Sequence, residues 1–282
     1  MALADLLIFK RAKGKYSEAG EDSMLEKIYK FLLWIYIFWF LINICLITFH
    51  VTPPHLTTLH SLFLVLTGIF ALVFFIMQYG TGLGLAMISL VFIVSVSIEW
   101  MQLSFTEQNY AAHFGLDIYG VPITFGFIWI GMIAGTHIIA REITLKISID
   151  WLRGGIYSII AATMVMIFEV LIQPISMQSK NLLALGNGIT VLQLSDFINW
   201  WLLGFILHLL IFFILSLTDK WGKLKYPDLK LELVIVYWII IAFFVFLSLY
   251  IDLWSSIAII IGANALFTLC FYISLDKEEK QT

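Results

Sequence analysis

Eight long apolar stretches dominate this 282-residue chain. A helix that crosses the hydrocarbon of a bilayer needs roughly 20 mostly apolar residues. The stretches are apolar on all sides, whereas membrane-spanning strands alternate in polarity. The sequence therefore predicts an all-α, polytopic integral membrane protein with a bundle of about eight transmembrane helices. The predicted spans are 28–49, 56–79, 83–104, 120–140, 152–175, 194–217, 232–251 and 253–275.

The composition excludes a soluble globular domain, because 61% of the residues are hydrophobic and only 12% are charged. The links between the spans are too short to fold alone, so we predict one transmembrane domain at 28–275 and a cytoplasmic tail at 276–282. Residues 1–27 are predicted to form an amphipathic, basic segment on the inner leaflet, with a flexible tail as the alternative. No nucleic-acid-binding pattern is present.

The basic residues predict the orientation. Of the 16 Lys and Arg residues, 15 fall on one side of the predicted topology and only Lys180 falls on the other. Since cytoplasmic loops of membrane proteins are rich in Lys and Arg, both termini are predicted to be cytoplasmic. We expect a multi-pass protein of a bacterial or archaeal cell membrane.

Three acids lie within or at the ends of apolar segments. Glu99 is inside the third, Glu169 is in the fifth, one turn before Gln173, and Asp196 opens the sixth. Given the directions of these helices, all three fall in the outer third of the membrane. A carboxyl group there is costly unless it is neutral, paired or hydrated, so it is a functional candidate. We predict that the three acids form one site. A structural hydrogen bond for Glu99 and a helix N-cap for Asp196 are the alternatives.

The surrounding sequence suggests further parts of this site. Asn199 and Trp200 are expected on the same helix face as Asp196, and the outer loop before the fourth helix contributes Tyr110 and His113 as candidates. Pro174 is expected to stop or kink the fifth helix. In the fourth helix, the Gly131–Gly135 spacing is typical of closely packed membrane helices.

Metal and cofactor sites receive little support. His50, His55 and His60 lack the spacing of a helical metal pair, and we interpret them as solvated residues near the membrane surface, with a metal site as the alternative. His137 and His208 are expected to bond neighbouring helices, with two-histidine haem ligation as the alternative. Cys45 and Cys270 are predicted about 20 Å apart in depth, too far for a disulfide. We therefore predict no metal and no cofactor.

Buried acids can catalyse additions to alkenes. A carboxyl group that is kept neutral by burial and by a neighbouring acid can protonate an electron-rich double bond. A second carboxylate can stabilise the cation or activate water. The sequence has no Gly-rich phosphate loop, no Ser-His-Asp pattern and no paired Asp motif for a diphosphate.

The order of short motifs resembles a known family. An intramembrane Glu is followed by Gly-Val-Pro with a Trp seven residues after the Pro, then by an acid four residues before x-Pro, then by Leu-Ser-Asp-Phe-x-x-Trp. This order, over about 95–205, resembles the CruF-type membrane carotenoid biosynthesis proteins, the bisanhydrobacterioruberin hydratase-like family. The resemblance implies cofactor-free addition of water to the terminal double bond of an acyclic carotenoid. The family's motif positions would be held by Glu99, Trp129, Glu169, Asp196 and Trp200.

This chain departs from that pattern at three polar positions. Glu169 replaces an Asp, Gln173 replaces the Asp before Pro174, and Asp196 replaces the Asn of Leu-Ser-Asn-Phe. An acid and an amide are thus exchanged between the fifth and sixth helices. The number of acids is retained if these side chains face each other.

Our first functional hypothesis is an intramembrane hydratase for a carotenoid or related polyisoprenoid, with Glu99 and Asp196 as the leading acids and Glu169 and Gln173 orienting water. One alternative is a lipid-binding or transport protein whose acids form a proton relay or a structural network. Another is a vinyl-ether lipid hydrolase, since that reaction also begins with protonation of an alkene. In each case the partner is an apolar polyene or lipid in the membrane. The sequence leaves the oligomeric state open.

Overall fold

The computed structural model describes residues 21–49, 58–105, 117–181, 194–250 and 252–279. In these ranges there are eight long helices, each apolar enough to cross a membrane. The predicted all-α, multi-pass architecture is therefore confirmed. The helices are α1 (Glu21–Thr48), α2 (Thr58–Tyr79), α3 (Thr81–Phe105), α4 (Ile123–Thr144), α5 (Asp150–Asn181), α6 (Leu194–Leu217), α7 (Lys230–Leu249) and α8 (Trp254–Glu279).

We call the two ends of the bundle the basic end and the far end. The basic end carries the α4–α5 turn (145–149) and the α6–α7 link (218–229), where Lys and Arg concentrate. The far end carries the α3–α4 and α5–α6 links. A short 3-10 helix, Pro227–Leu229, closes the α6–α7 link just before α7 begins.

The largest differences from the predicted helix boundaries are at the start of α1 and the end of α5. α1 begins at Glu21, so acidic residues start the helix. Residues 1–20, which make up most of the predicted N-terminal segment, lie outside the described residues. The predicted stop at Pro174 is wrong, because α5 continues to Asn181: a proline removes one backbone donor without preventing the next turn from forming. A kink at Pro174 stays a prediction. With 32 residues, α5 is about 48 Å long and extends beyond a hydrocarbon layer of about 30 Å.

Helix α4 is the centre of the bundle. Buried residues make up 89% of its apolar window, against 17% for α1 and 22% for α8, and α4 contacts α2, α3, α5, α6, α7 and α8. A Cβ added at Gly131 would lie 2.2 Å from Thr67 on α2, and one added at Gly135 would lie 2.6 Å from the Tyr237 ring on α7. The predicted close packing at these two glycines is confirmed.

A two-residue hairpin turn sets the start of α4. Strands β1 (Asp117–Ile118) and β2 (Val121–Pro122) pair antiparallel. The turn residues Tyr119 and Gly120 have φ values of 53° and 84°, as tight hairpins of this length require. The Asp117 side chain accepts a hydrogen bond from the Gly120 N–H at 3.1 Å. Pro122 then caps the helix with an extended backbone.

Candidate functional site

Glu99 lies on α3 with only 4% of its surface exposed. Ser95, one turn earlier on the same helix, is fully buried, so both polar side chains face the protein. The Ser95 hydroxyl donates to the Phe92 carbonyl oxygen at 3.1 Å and so does not disturb the helix. The bundle therefore holds the Glu99 side chain away from lipid.

Two tryptophans, Trp129 on α4 and Trp200 on α6, form an aromatic contact. Their ring centroids are 5.2 Å apart at an interplanar angle of 31°, and the residues are 2% and 7% exposed. Such aromatic pairs contribute about 0.5–1.5 kcal/mol beyond the area that they bury. The pair joins two of the helices that carry the predicted site.

Close packing at Gly126 fixes the register of α3 against α4. A Cβ added there would lie 2.4 Å from the Phe92 ring and 3.0 Å from Val96. Glu99 is three residues beyond Val96 toward the far end, and Trp129 is three residues beyond Gly126 toward the basic end. At about 1.5 Å per residue, Glu99 lies roughly 9 Å nearer the far end than Trp129. The acid is therefore nearer the far end than the tryptophan pair is.

A second close contact fixes the register of α5 against α6. A Cβ added at Gly204 would lie 3.3 Å from the Ala162 Cα atom. Toward the far end, Glu169 is seven residues from Ala162 and Asp196 is eight residues from Gly204. Their helix positions therefore agree in depth to roughly 2 Å, and both lie above Trp200. The side chains of Glu169, Gln173 and Asp196 are outside the described residues, so the convergence of the three carboxyl groups stays a prediction.

The remaining candidates are placed less favourably or lie outside the described residues. Asn199 is exposed whereas Trp200 is buried, so the expected shared face is not observed for this pair. Adjacent helical residues point about 100° apart, which accounts for the difference. Tyr110 and His113 lie in 106–116, outside the described part of the chain.

A second buried polar region lies in the basic half of the bundle. The ring of His137 on α4 is bonded at both nitrogens: Nε2 is 2.8 Å from the Tyr79 hydroxyl on α2, and Nδ1 is 2.6 Å from the Tyr157 hydroxyl on α5. All three residues are buried. The prediction that His137 bonds neighbouring helices is therefore confirmed.

His208 on α6 is bonded in a different way. Its Nδ1 is 2.7 Å from the Gly204 carbonyl oxygen, and its Nε2 is 3.0 Å from the Thr136 hydroxyl on α4. The Thr136 hydroxyl also donates to the Met132 carbonyl oxygen at 2.8 Å, and its one proton can serve only one of these two contacts. With both nitrogens of His137 also bonded, neither ring offers a nitrogen to a haem iron. The two-histidine haem alternative is not supported.

A buried ion cluster completes the basic region. Arg141 and Glu142, 2% and 3% exposed, form a salt bridge, and Lys230 donates to the other Glu142 oxygen at 2.9 Å. The Arg141 Nε–H also donates to the Trp221 carbonyl oxygen at 2.8 Å. Neither Arg141 nor Glu142 was among the predicted site residues. The available signal was an Arg-Glu pair at the end of an apolar span, because buried charges persist only when they are paired.

The α6–α7 link packs over the basic end through two of its residues. Trp221 is 4% exposed, and its ring lies 4.8 Å from the Tyr157 ring and 4.7 Å from the Phe212 ring. The backbone of Tyr226 exchanges two hydrogen bonds, at 2.7 and 3.0 Å, with the side chain of Gln78 near the end of α2. The link is thus tied to α2 and α4.

Residues 59–268 match the family of carotenoid biosynthesis proteins. The chain belongs to the carotenoid biosynthesis protein family. The matched range runs from the start of α2 into α8 and includes both polar regions. Neither a curated protein nor a solved structure matches the chain. Membership of this family supports a role in carotenoid biosynthesis, with an apolar substrate that reaches the protein from the membrane.

For a carotenoid biosynthesis protein, the far end offers the more suitable chemistry. Glu99 is a buried ionisable group, and a buried carboxyl group can act as a general acid. The described part of this family member contains no group of three His, Cys, Asp or Glu side chains arranged to hold a metal ion. The basic region has its polar groups bonded across helices and to the α6–α7 link.

Proposed function

We propose that this protein is an intramembrane hydratase that adds water to a terminal C=C bond of an acyclic carotenoid or a related polyisoprenoid. The observation that carries the proposal is the burial of Glu99 on the far-end side of the Trp129–Trp200 pair. A polyene that lies along the tryptophan rings would bring its end group toward the level of the acids. The CruF-type order of motifs supports the same reaction.

The proposed reaction needs only water and carboxyl groups. Glu99, as the neutral acid, gives its proton to one alkene carbon, and the π electrons form the new C–H bond. The neighbouring carbon, which carries two methyl groups in a terminal isoprene unit, becomes a tertiary cation. A water oxygen attacks this cation, and a second carboxylate, Asp196 or Glu169, removes the extra proton. The proton then passes from this second carboxyl group to Glu99, so that one water is added, no electrons are transferred and both carboxyl groups regain their starting states.

The direct test is expression in a host that accumulates acyclic carotenoids, followed by mass analysis of the pigments. We expect products that are heavier by the mass of one water, and no such products with Glu99→Gln. Glu232 on α7 is half-buried near the basic end, so Glu232→Gln is the matched control and should leave the products unchanged. Unaltered pigments from several acyclic substrates, with folded protein present, would rule out the hydratase.

The transport alternative requires access from both sides of the membrane. At the basic end, such access would break the contacts of Arg141 with Trp221 and of Gln78 with Tyr226, which tie the α6–α7 link to the bundle. This arrangement favours an enzyme over a transporter. A cysteine at fully buried Ala140, in a chain without Cys45 and Cys270, tests the point with a membrane-impermeant maleimide. We expect no labelling from the basic side with or without carotenoid, whereas a transporter would show carotenoid-dependent labelling.

A further inference from the structure

The seam between α1 and α7 contains two buried oxygen atoms without a hydrogen-bond partner. The two helices pack against each other. The hydroxyl of Tyr29 on α1 and the Oε2 atom of Glu232 on α7 are both shielded from solvent, and neither has a partner among the described residues. Buried polar atoms are nearly always hydrogen-bonded, so each exception needs an explanation. Two exceptions at one seam point to a ligand that bonds both oxygens.

Packing holds the Tyr29 ring in place. The residue is fully buried, and its ring centroid lies 4.4 Å from that of Phe70 and 6.2 Å from that of Phe74, both on α2. Glu232 is the charged side chain that interacts electrostatically with Tyr29. The hydroxyl and the carboxyl group are thus neighbours, but they do not form a hydrogen bond with each other. A group that joins them must lie between them.

The charges around Glu232 favour a cation as that group. The charged side chains that act on this carboxyl group are Lys30 and Glu26 on α1 and Asp228 in the 3-10 helix before α7. Lys30 donates to Glu26 at 2.5 Å, so the cation of this set is already bonded to another acid. When all four groups are ionised, negative charge is in excess. A buried charge without a partner is costly, so the seam suits a positively charged ligand.

The number of hydrogen-bond donors selects among the possible ligands. A proton on Glu232 would neutralise the carboxylate but would leave the Tyr29 hydroxyl without a partner. A water molecule would bond both oxygens but would leave the charge uncompensated. A primary ammonium group has three N–H donors and one positive charge, so it can donate to the carboxylate and to the phenol oxygen together. A quaternary ammonium group has the charge but no N–H.

The seam lies at the level of the membrane surface. Glu232 is in the first turn of α7 and is half-buried. Lys30 is exposed beside it, one turn after the half-buried Glu26. The headgroup region flanks the hydrocarbon at each face of a bilayer, so the leaflet at the basic end places its headgroups near these residues. The amine of a phospholipid headgroup and a free amine from the solution could both reach the seam.

We propose that Tyr29 and Glu232 form a binding site for a primary ammonium group, such as that of a phosphatidylethanolamine headgroup or a free amine. The ammonium group donates one hydrogen bond to Glu232 Oε2 and one to the Tyr29 oxygen. Because the two residues belong to different helices, the bound group joins α1 to α7. The site does not depend on the proposed hydratase activity, and its test measures lipid binding and stability alone.

Native mass spectrometry of the full-length protein, released from nanodiscs with equal amounts of phosphatidylethanolamine and phosphatidylcholine, tests the site. We expect retention of phosphatidylethanolamine to exceed that of phosphatidylcholine on the order of tenfold, because only the former donates charged hydrogen bonds. Tyr29→Phe should reduce this preference and Glu232→Gln should abolish it. Tyr36→Phe is the matched control, since it removes another buried hydroxyl from α1, one that contacts the Thr67 hydroxyl at 3.0 Å. Equal retention of the two lipids, or an unchanged preference in Glu232→Gln, would overturn the proposal.

Thermal unfolding in phosphatidylcholine nanodiscs distinguishes the two sources of the amine. If a free amine suffices, added ethanolamine should raise the unfolding temperature, because a ligand that binds only the folded state stabilises it. If the lipid headgroup is required, only exchange of phosphatidylcholine for phosphatidylethanolamine should raise it. Either rise should be absent in Glu232→Gln. A response to neither amine, or an equal response to tetramethylammonium, which has no N–H, would refute the site.

Discussion

The two buried polar regions of this bundle differ in how their polar groups are held. In the basic half, Arg141, Glu142 and Lys230 form a cluster that joins α4, α7 and the α6–α7 link. At the far end, Glu99 lies on a stripe that faces the protein, above the Trp129–Trp200 contact. The charge cluster stabilises the packing of the helices, whereas the buried carboxyl group of Glu99 is our candidate for chemistry on an apolar substrate. We therefore expect substitutions at the far end to change activity and substitutions in the basic half to change stability.

The largest effect on activity is expected at Glu99. Glu99→Gln retains the shape of the side chain but removes the acidic proton, and general acid catalysis typically contributes about a hundredfold to ten-thousandfold in rate. Product formation should fall by this order while the amount of folded protein in the membrane is unchanged. Glu99→Asp should restore part of the activity. A fully active Glu99→Gln variant would show that the acid at the far end is structural, like those at the basic end.

The largest effect on stability is expected at Arg141. Arg141→Met removes one of the two cations that bond Glu142 and the donor to the Trp221 carbonyl, while Lys230 remains. Breaking a buried ion pair from one side costs about 3–5 kcal/mol when the other charge is left alone, so this range is an upper bound here. The thermal unfolding temperature of the purified protein in detergent should fall. Carotenoid conversion per folded molecule should not change, because the substitution is far from Glu99. A specific loss of conversion without loss of stability would contradict the division between the two regions.

The eight spans were predictable from sequence because the length and polarity of a membrane helix are strongly constrained. The Gly131–Gly135 packing was also predictable, since close helix approach leaves a simple spacing pattern. Partners across helices were not predictable. Nothing in the sequence assigns Tyr79 and Tyr157 to His137, because the three residues come together only when α2, α4 and α5 pack. Trp129 was indicated only through the family resemblance, whereas Trp200 was also a candidate from its position on the sixth helix.

Helix packing around α4 gives the next effect. Gly135→Ala would place a methyl group 2.6 Å from the Tyr237 ring, and overpacking of this kind costs about 1–3 kcal/mol. The matched control is Gly262→Ala on α8, where no atom lies within 4 Å of the added Cβ. Thermal unfolding should show a loss of stability for the first variant and no loss for the second. Equal stability would mean that α4 and α7 can separate without cost.

Trp200→Phe should produce a smaller change, and mainly in substrate use. Phenylalanine retains an aromatic ring but reduces the stacking on Trp129, a contact worth about 0.5–1.5 kcal/mol. We expect the lost contact energy to appear as a rise in the apparent KM for carotenoid, with a smaller change in kcat. Trp201→Phe is the control, since that side chain packs on Phe205 and donates to Thr163 on α5. An equal rise in KM for both variants would place the substrate elsewhere.

The smallest effect is expected at an exposed ion pair at the basic end. Lys223, through a hydrogen bond and its charge, lowers the pKa of Asp219 in the α6–α7 link, and Lys220 adds to this effect. The lowered pKa stabilises the folded state at pH values above the ordinary pKa of Asp. This stabilisation is lost as the pH falls through the lowered pKa. Both side chains are exposed, so solvent screens the pair. Lys223→Ala should raise the Asp219 pKa, measured by carbon-13 NMR titration, and leave the unfolding temperature unchanged near neutral pH. A fall in unfolding temperature like that of Arg141→Met would mean that burial does not determine which ion pairs hold the basic end together.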